Sequence, residues 1–343
     1  MTQSLVISID AMGGDNAPGI VIKGLNIARK RYPMANFILF GDSEEIDRVI
    51  KRYPKLRQKC KINHTSQVIA SDDKPSHALR RARDSSMRRA IDSVRDGEAL
   101  GVVSAGNTGA LMAIAKIVLK MVEGFDRPAI AGIFPSLRGQ SVTLDLGANI
   151  ECSIENLVQF SIMGAAFARM VLGIERPLVG LLNVGEEELK GNENVKEAAQ
   201  ILKYSQKTLP FDFIGFVEGD DIGPGKADVF VTDGFTGNIA LKTAEGTAKF
   251  YSNVLRAAFR RSVLSKIGYL LAKPALTAIR RRVDPRSYNG ALFVGLNGVV
   301  VKSHGGADAK SFANAVGVAI DMIQVGFSSQ ITSDLQKLII HEE

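Results

Sequence analysis

Short apolar runs of strand length alternate with stretches in which apolar positions recur at helical spacing, almost from one end of the chain to the other. The runs predict strands near Leu5–Ile9, Asn36–Phe40, Gly101–Ser104, Ala129–Phe134, Ser141–Leu144, Leu178–Leu182, Phe213–Phe216, Val229–Val231, Ala291–Val294 and Val299–Lys302. Helices are predicted between them, at Pro18–Arg31, Ser86–Asp96, Thr108–Val122, Ser153–Leu172, Asn194–Ser205, Asn238–Phe259 and Ala307–Val325. Strand and helix in alternation give a three-layer α/β/α fold with a mostly parallel, mixed sheet, whose ligands sit beyond the carboxyl ends of the strands. No low-complexity linker and no fixed-period repeat interrupts the pattern, so residues 1–343 read as one α/β domain. The departure is a long helical stretch from about Asn238 to Val283, read as a helical hairpin inserted at 245–286.

Three of the apolar runs stop at small polar loops rich in Gly, Asn and Asp, with a helix directly after. These are Ser104-Ala105-Gly106-Asn107-Thr108-Gly109, Asp145-Leu146-Gly147-Ala148-Asn149 and Thr232-Asp233-Gly234-Phe235-Thr236-Gly237-Asn238. A fourth loop, Asp10-Ala11-Met12-Gly13-Gly14-Asp15-Asn16-Ala17-Pro18, follows the first strand. At such junctions the free N–H groups of the first helical turn favour anions, and glycine lets a ligand approach them closely. The expectation is that the four loops lie along one edge of the sheet and line one cleft. Neither a G-x-G-x-x-G fingerprint nor a P-loop supports itself in these segments.

Composition narrows the class. A 343-residue chain that is 45% hydrophobic can bury a large core, and disorder is excluded. Leu5–Ile9 runs straight into Asp10, unlike a signal peptide, and the longest uncharged stretch, Ala99–Ala115, is too polar to span a membrane. A cytosolic protein is expected, and with only Cys60 and Cys152 no disulfide framework or cysteine metal site is expected either.

The net charge of +7 is local: between Phe250 and Arg286 nine basic residues face the single acid Asp284. Leu255, Phe259 and Val263 recur every four residues there, and Leu270 and Leu271 follow after Gly268. Such an element serves equally as a dimer or core helix or as a cationic amphipathic surface on an anionic bilayer, with docking of an acidic protein as a third use. The window has no Trp and few aromatics that look exposed, which argues against a general nucleic-acid binder.

Two further segments carry candidate chemistry. Lys190, in Glu186-Glu187-Glu188-Leu189-Lys190-Gly191, is either a surface ion pair or a cation that reaches an anion beyond a strand end. Lys302-Ser303-His304-Gly305-Gly306 puts a cation, a hydroxyl and an imidazole beside two glycines, a setting that none of the other three histidines shares. Metal-ligand histidine spacing and a G-x-S-x-G elbow are both absent, and no metal or cofactor is expected.

At these residues the chain resembles the bacterial phosphate acyltransferase family. The matching segments are Ile9 to Pro18, Val103 to Ala110, Leu144 to Asn149, Asn183-Val184-Gly185 with Lys190 to Glu193, Thr232 to Asn238, and Ser303-His304-Gly305. They follow in order through essentially the whole chain. The resemblance implies a fold related to phosphotransacetylases and to isocitrate and isopropylmalate dehydrogenases, a homodimer, and peripheral attachment to the inner face of the cell membrane. It implies transfer of an acyl group from acyl carrier protein to inorganic phosphate, with the acyl phosphate passing to a membrane glycerol 3-phosphate acyltransferase for phospholipid synthesis.

A thioester carries a good leaving group and phosphate dianion is a competent nucleophile, so direct transfer without an acyl-enzyme is expected. In that scheme Lys302, His304 and Lys190 hold phosphate charge, while Asn107, Thr108, Asn149 and Asn238 donate hydrogen bonds. Asp10, Asp145 and Asp233 orient these groups or act as base. Gly13, Gly14, Asn16, Ser104, Gly234 and Phe235 complete the expected binding loops, and Leu255, Phe259, Val263, Leu270 and Leu271 are the expected membrane contacts. The basic hairpin then faces two negatively charged partners, acyl carrier protein and the bilayer. The rival readings are an NAD-dependent decarboxylating dehydrogenase on a related fold and a noncatalytic membrane-surface scaffold.

Overall fold

The structure is a computed structural model that describes residues 5–282, 284 and 288–326. Eleven strands form one sheet: β1 (Val6–Asp10), β2 (Asn36–Gly41), β3 (Cys60–His64), β4 (Gly101–Ser104), β5 (Ala129–Ser136), β6 (Gly139–Leu144), β7 (Leu178–Leu182), β8 (Asp212–Val217), β9 (Val229–Val231), β10 (Ala291–Val294) and β11 (Val299–Lys302). Their order across the sheet is β3-β2-β1-β4-β11-β10-β5-β6-β9-β7-β8. The helices are α1 (Gly19–Arg31), α2 (Ser43–Ile50), α3 (Pro54–Arg57), α4 (Pro75–Arg81), α5 (Ser86–Arg95), α6 (Thr108–Leu119), α7 (Ile154–Leu172), α8 (Glu193–Tyr204), α9 (Gly234–Arg260), α10 (Val263–Arg282) and α11 (Ala309–Gln324).

The strands are apolar on both faces because helices cover both. Ile7, Ile9, Val103, Val229, Val231 and Val301 point into one core with Leu25 of α1, Phe160 and Phe167 of α7 and Phe312 of α11. Val102, Phe230 and Val300 point into the other, against Ile91 of α5 and Leu111 and Ile114 of α6. This is the three-layer arrangement expected from the alternation of elements.

One property of the sheet departs from expectation. The strands from β3 through β11 run parallel, but β10 is antiparallel to both β11 and β5, and β5 is antiparallel to β6. From β6 outward β9, β7 and β8 are again parallel to one another. The two parallel halves therefore point in opposite directions. The carboxyl ends of β1, β4 and β11 lie on one edge, and those of β6, β9 and β7 lie on the other. The four polar loops do not share an edge.

α9 and α10 form the expected hairpin, joined through Arg261 and Ser262, with the rings of Phe259 and Tyr269 edge to face at 5.4 Å. Only Gly234 and Gly237 of α9 are buried. The helix begins four residues ahead of the predicted Asn238, because Asp233 caps it by accepting from Thr236 N at 2.7 Å. The predicted end of the hairpin, Arg286, lies outside the described residues. β3 and the short helices α2, α3 and α4 were not expected. Among the described residues β3 pairs only with β2, and it alternates apolar with polar side chains, so it lacks the continuous apolar run of a central strand.

Candidate active site

The first loop cluster gathers around Asp10, at the carboxyl end of β1. Its carboxylate is 1% exposed and accepts from Ser86 Oγ and Ser104 Oγ, each at 2.6 Å. Burial pushes its pKa above the usual carboxylate range, while these hydroxyls and the backbone of Met12 and Gly13 pull it back. A Cβ on Gly13 would stand 2.5 Å from Asp10 Oδ2 and 2.7 Å from Gly106 N, so only glycine fits between the two loops. The loop after β11 closes the group, with Asp15 N donating to Gly305 O at 3.0 Å and Ser303 N to Ser104 O at 2.8 Å. Gly13, Gly14, Asn16, Ala105 and Gly305 line a small cavity there.

Lys302 and His304 stand over this cluster, as expected. Lys302 is half-buried, and burial pulls its pKa down to about 8, with Lys242 adding to the fall and Asp10 and Asp15 opposing it. His304 Nδ1 accepts from Gly306 N at 3.1 Å, which leaves Nε2 facing Lys242 Nζ at 3.4 Å. Burial first, then the Lys242 ammonium, pushes the imidazole below its usual range, toward the neutral form. Asn107 and Thr108 begin α6 beside this cluster. Asn107 caps the helix, its Oδ1 accepting from Ala110 N, while its amide donates to Ala70, Ser71 and Asp73 carbonyls. Its side chain thus ties down a neighbouring loop.

The second cluster lies on the opposite edge. Asp145 is fully buried and accepts from Ile130, Gly147 and Ala148 N on one oxygen, and from Asn149 N and Nδ2 on the other. The Asn149 amide also donates to Pro128 O at 2.8 Å, and Gly234 N donates to Asn149 O at 2.7 Å. A side chain at Gly237 would collide with the Asp145 carbonyl. Asp233 is half-buried at the start of α9, and Phe235 and Asn238 are exposed on its first turns. Lys190 follows β7 on the same edge and pairs with Glu187 at 2.8 Å, not with the groups around Lys302 and His304.

α9 joins the two clusters. Lys242 is eight residues beyond Gly234, ~12 Å along the helix axis, and there it meets His304. It is paired with Glu245 at 2.9 Å. Lys242, Ser86 and Asn289 were not anticipated as parts of the site. Asn289 accepts from His304 N at 3.0 Å and donates to Ser303 Oγ at 2.9 Å, fixing the His304 turn. Neither a motif nor spacing marks these residues; only the direction of each element brings them to the loops.

Cysteine chemistry has no place here: Cys60 and Cys152 are buried, and burial pushes both thiols up to about 12. Ser104 and Ser303 are sealed from solvent and already hydrogen-bonded. Ser104 donates to Asp10, and Ser303 accepts from Asn289.

Residues 5–330 match the profile of a family described as fatty acid synthesis protein. The chain belongs to that family. Among its relatives are proteins named phosphate acyltransferase: one from Paramagnetospirillum magneticum is 53% identical over 98% of this chain and 96% of its own length, and one from Rhodospirillum centenum is 56% identical over 98% and 95%. Solved structures share the fold at low identity. A phosphotransacetylase from Streptococcus pyogenes aligns with TM-score 0.59 at 17% identity, covering 94% of this chain and 95% of its own. A 4-hydroxythreonine-4-phosphate dehydrogenase from Klebsiella pneumoniae aligns with TM-score 0.52 at 13% identity, covering 94% and 99%. The fatty acid synthesis family thus occupies a fold also used by phosphotransacetylases and dehydrogenases.

Proposed function

We propose that this chain transfers a fatty acyl group from acyl carrier protein to inorganic phosphate. A phosphate oxygen attacks the thioester carbonyl, the C–S bond breaks, the carrier thiol leaves and acyl phosphate is released. The carrying observation is the convergence of Lys302, His304 and Lys242 over loops narrowed by Gly13, Gly14 and Gly305. Such a group suits a phosphate dianion held for attack, and the ordered backbone N–H groups suit a developing oxyanion. The burial of Ser104 and Ser303 away from solvent and the raised pKa of both buried thiols support direct transfer. The full-length similarity to proteins named phosphate acyltransferase supports the same reaction and disfavours the dehydrogenase and scaffold readings.

In this reading Lys302, His304 and Lys242 hold phosphate, with Asn16 and Thr108 at the rim. Asp10 and Asp145 position loops from inside, and Asp233 orients the start of α9. Lys190 and Asn238 stand on the opposite edge, where they serve contact with a second protomer of a homodimer. The exposed apolar residues of the hairpin, with Val263 72%, Leu270 65% and Leu271 80% exposed, support peripheral attachment to an anionic bilayer. Among the described residues no helix is long and apolar enough to cross a membrane. Attachment places the reactive product near a membrane glycerol 3-phosphate acyltransferase.

Incubating the protein with acyl-acyl carrier protein and phosphate, and trapping the product with hydroxylamine, tests the reaction. Lys302→Ala and His304→Ala are each expected to lower turnover by roughly a hundredfold or more while thermal unfolding stays unchanged. Wild-type rates in both variants would overturn the site assignment.

A further inference from the structure

We propose that the exposed basic face of α4 is the docking surface for the acyl carrier protein that delivers the thioester, an inference that rests on the acyl-transfer reading above. From Lys74 to Arg89 six basic residues stand against the single acid Asp84. Arg88 is turned onto Asp92 at 3.0 Å and Arg89 toward Asp84 at 3.8 Å. Lys74, Arg80, Arg81 and Arg83 are exposed and make no ion pair among the described residues.

Helix stability accounts for only part of this charge. Arg80 and Arg81 occupy the last turn of α4, where cations favour the helix dipole, but Lys74 is its N-cap residue, where a cation is unfavourable and its side chain makes no capping bond. Lys74 follows Asp72 and Asp73 in the chain, but Arg80, Arg81 and Arg83 crowd together without an ion pair among the described residues, and an anionic partner removes the cost of their repulsion.

The segment is built into the first loop cluster. Asn107 holds Ala70, Ser71 and Asp73 by their carbonyls, and Gln67 accepts from Asp84 N and donates to Arg81 O. A Cβ on Gly109 would lie 2.8 Å from Pro75, so the start of α4 rests directly on the first turn of α6. Four residues beyond Ala82 the chain reaches Ser86, whose hydroxyl donates to Asp10. A carrier seated on this face therefore stands at the rim of the loops under Lys302 and His304, within reach of a tethered thioester.

The chemistry of the face selects a protein over a bilayer. Ala78 and Ala82 are buried and Leu79 packs against the core, so α4 offers charge without the exposed apolar side chains that anchor a membrane surface. Those side chains are on the hairpin. Acyl carrier proteins are acidic, which makes their docking a matter of charge complementarity, with effects chiefly on encounter and on salt dependence.

The test is the triple variant Arg80→Ala/Arg81→Ala/Arg83→Ala in the full chain, with Arg80→Lys/Arg81→Lys/Arg83→Lys as its conservative counterpart. Acyl-acyl carrier protein is titrated across a salt series, and binding of fluorescently labelled carrier is followed in parallel. The expected result is a KM for the carrier substrate and a carrier Kd each raised about tenfold or more, with a flatter salt dependence. The kcat, the KM for phosphate and the unfolding temperature stay at wild-type values, and the lysine variant recovers most of the affinity. Unchanged carrier KM, Kd and salt slope in the alanine variant would overturn the surface. So would retained carrier affinity together with lost co-sedimentation on anionic vesicles, which would give α4 to the bilayer. A wild type that binds carrier through these arginines but forms no acyl phosphate would remove the acyl-transfer reading and leave the surface standing.

Discussion

Asp10 and Asp145 are sealed from solvent, and each commits both carboxylate oxygens to donors from its own and neighbouring loops. So committed, both carboxylates brace the loops from inside. Asp145→Asn keeps the volume but turns an amide N–H₂ toward donors that need an acceptor. It is expected to cost about 2–4 kcal/mol of stability, read from urea unfolding. Lys302 carries a different consequence. Its pKa of about 8 means that the ammonium is lost as pH rises through that value, so phosphate attraction weakens on the alkaline side. The KM for phosphate is expected to climb from neutral pH toward pH ~9, whereas Lys302→Arg, charged throughout this range, flattens the climb. Superimposable pH profiles of the two enzymes would refute that role. Of the site residues, those in glycine-bearing loops were legible in the sequence, since strand, loop and helix follow one another there. Lys242 and Asn289 were not, because α9 carries the one to His304 and the antiparallel pairing of β10 with β11 carries the other, and side-chain periodicity reveals neither.

At the scale of elements, central strands were legible because apolar side chains occupy both faces. β3 was not, since it pairs on one side only. The reversal of the sheet had a readable sign: β5 ends at Ser136 and β6 begins at Gly139, a connection far too short for a parallel crossover. The hairpin was legible from its spacing, and its exposed leucines permit a direct test. Leu270→Glu/Leu271→Glu puts charge on two of its most exposed apolar positions and is expected to abolish co-sedimentation with anionic vesicles. Acyl phosphate formation in solution should persist, because both side chains are exposed on the hairpin and neither belongs to the proposed phosphate site. Retained sedimentation would remove the hairpin from the membrane role.

For the molecule as a whole, the order of strands matters as much as their directions. β11 lies between β4 and β10, so Val301 pairs with Val103 across nearly two hundred intervening residues, and α11 packs on α1. Such distant pairings slow folding, because a long loop must close before they contribute. A nascent polypeptide that has left the ribosome only as far as the hairpin holds β1 to β4 of the first parallel half, yet β4 still presents an open border where β11 belongs. The proposed sulfur-to-phosphate exchange centre is thus completed only late in biosynthesis, when β11 seals that border and brings Lys302 and His304 with it.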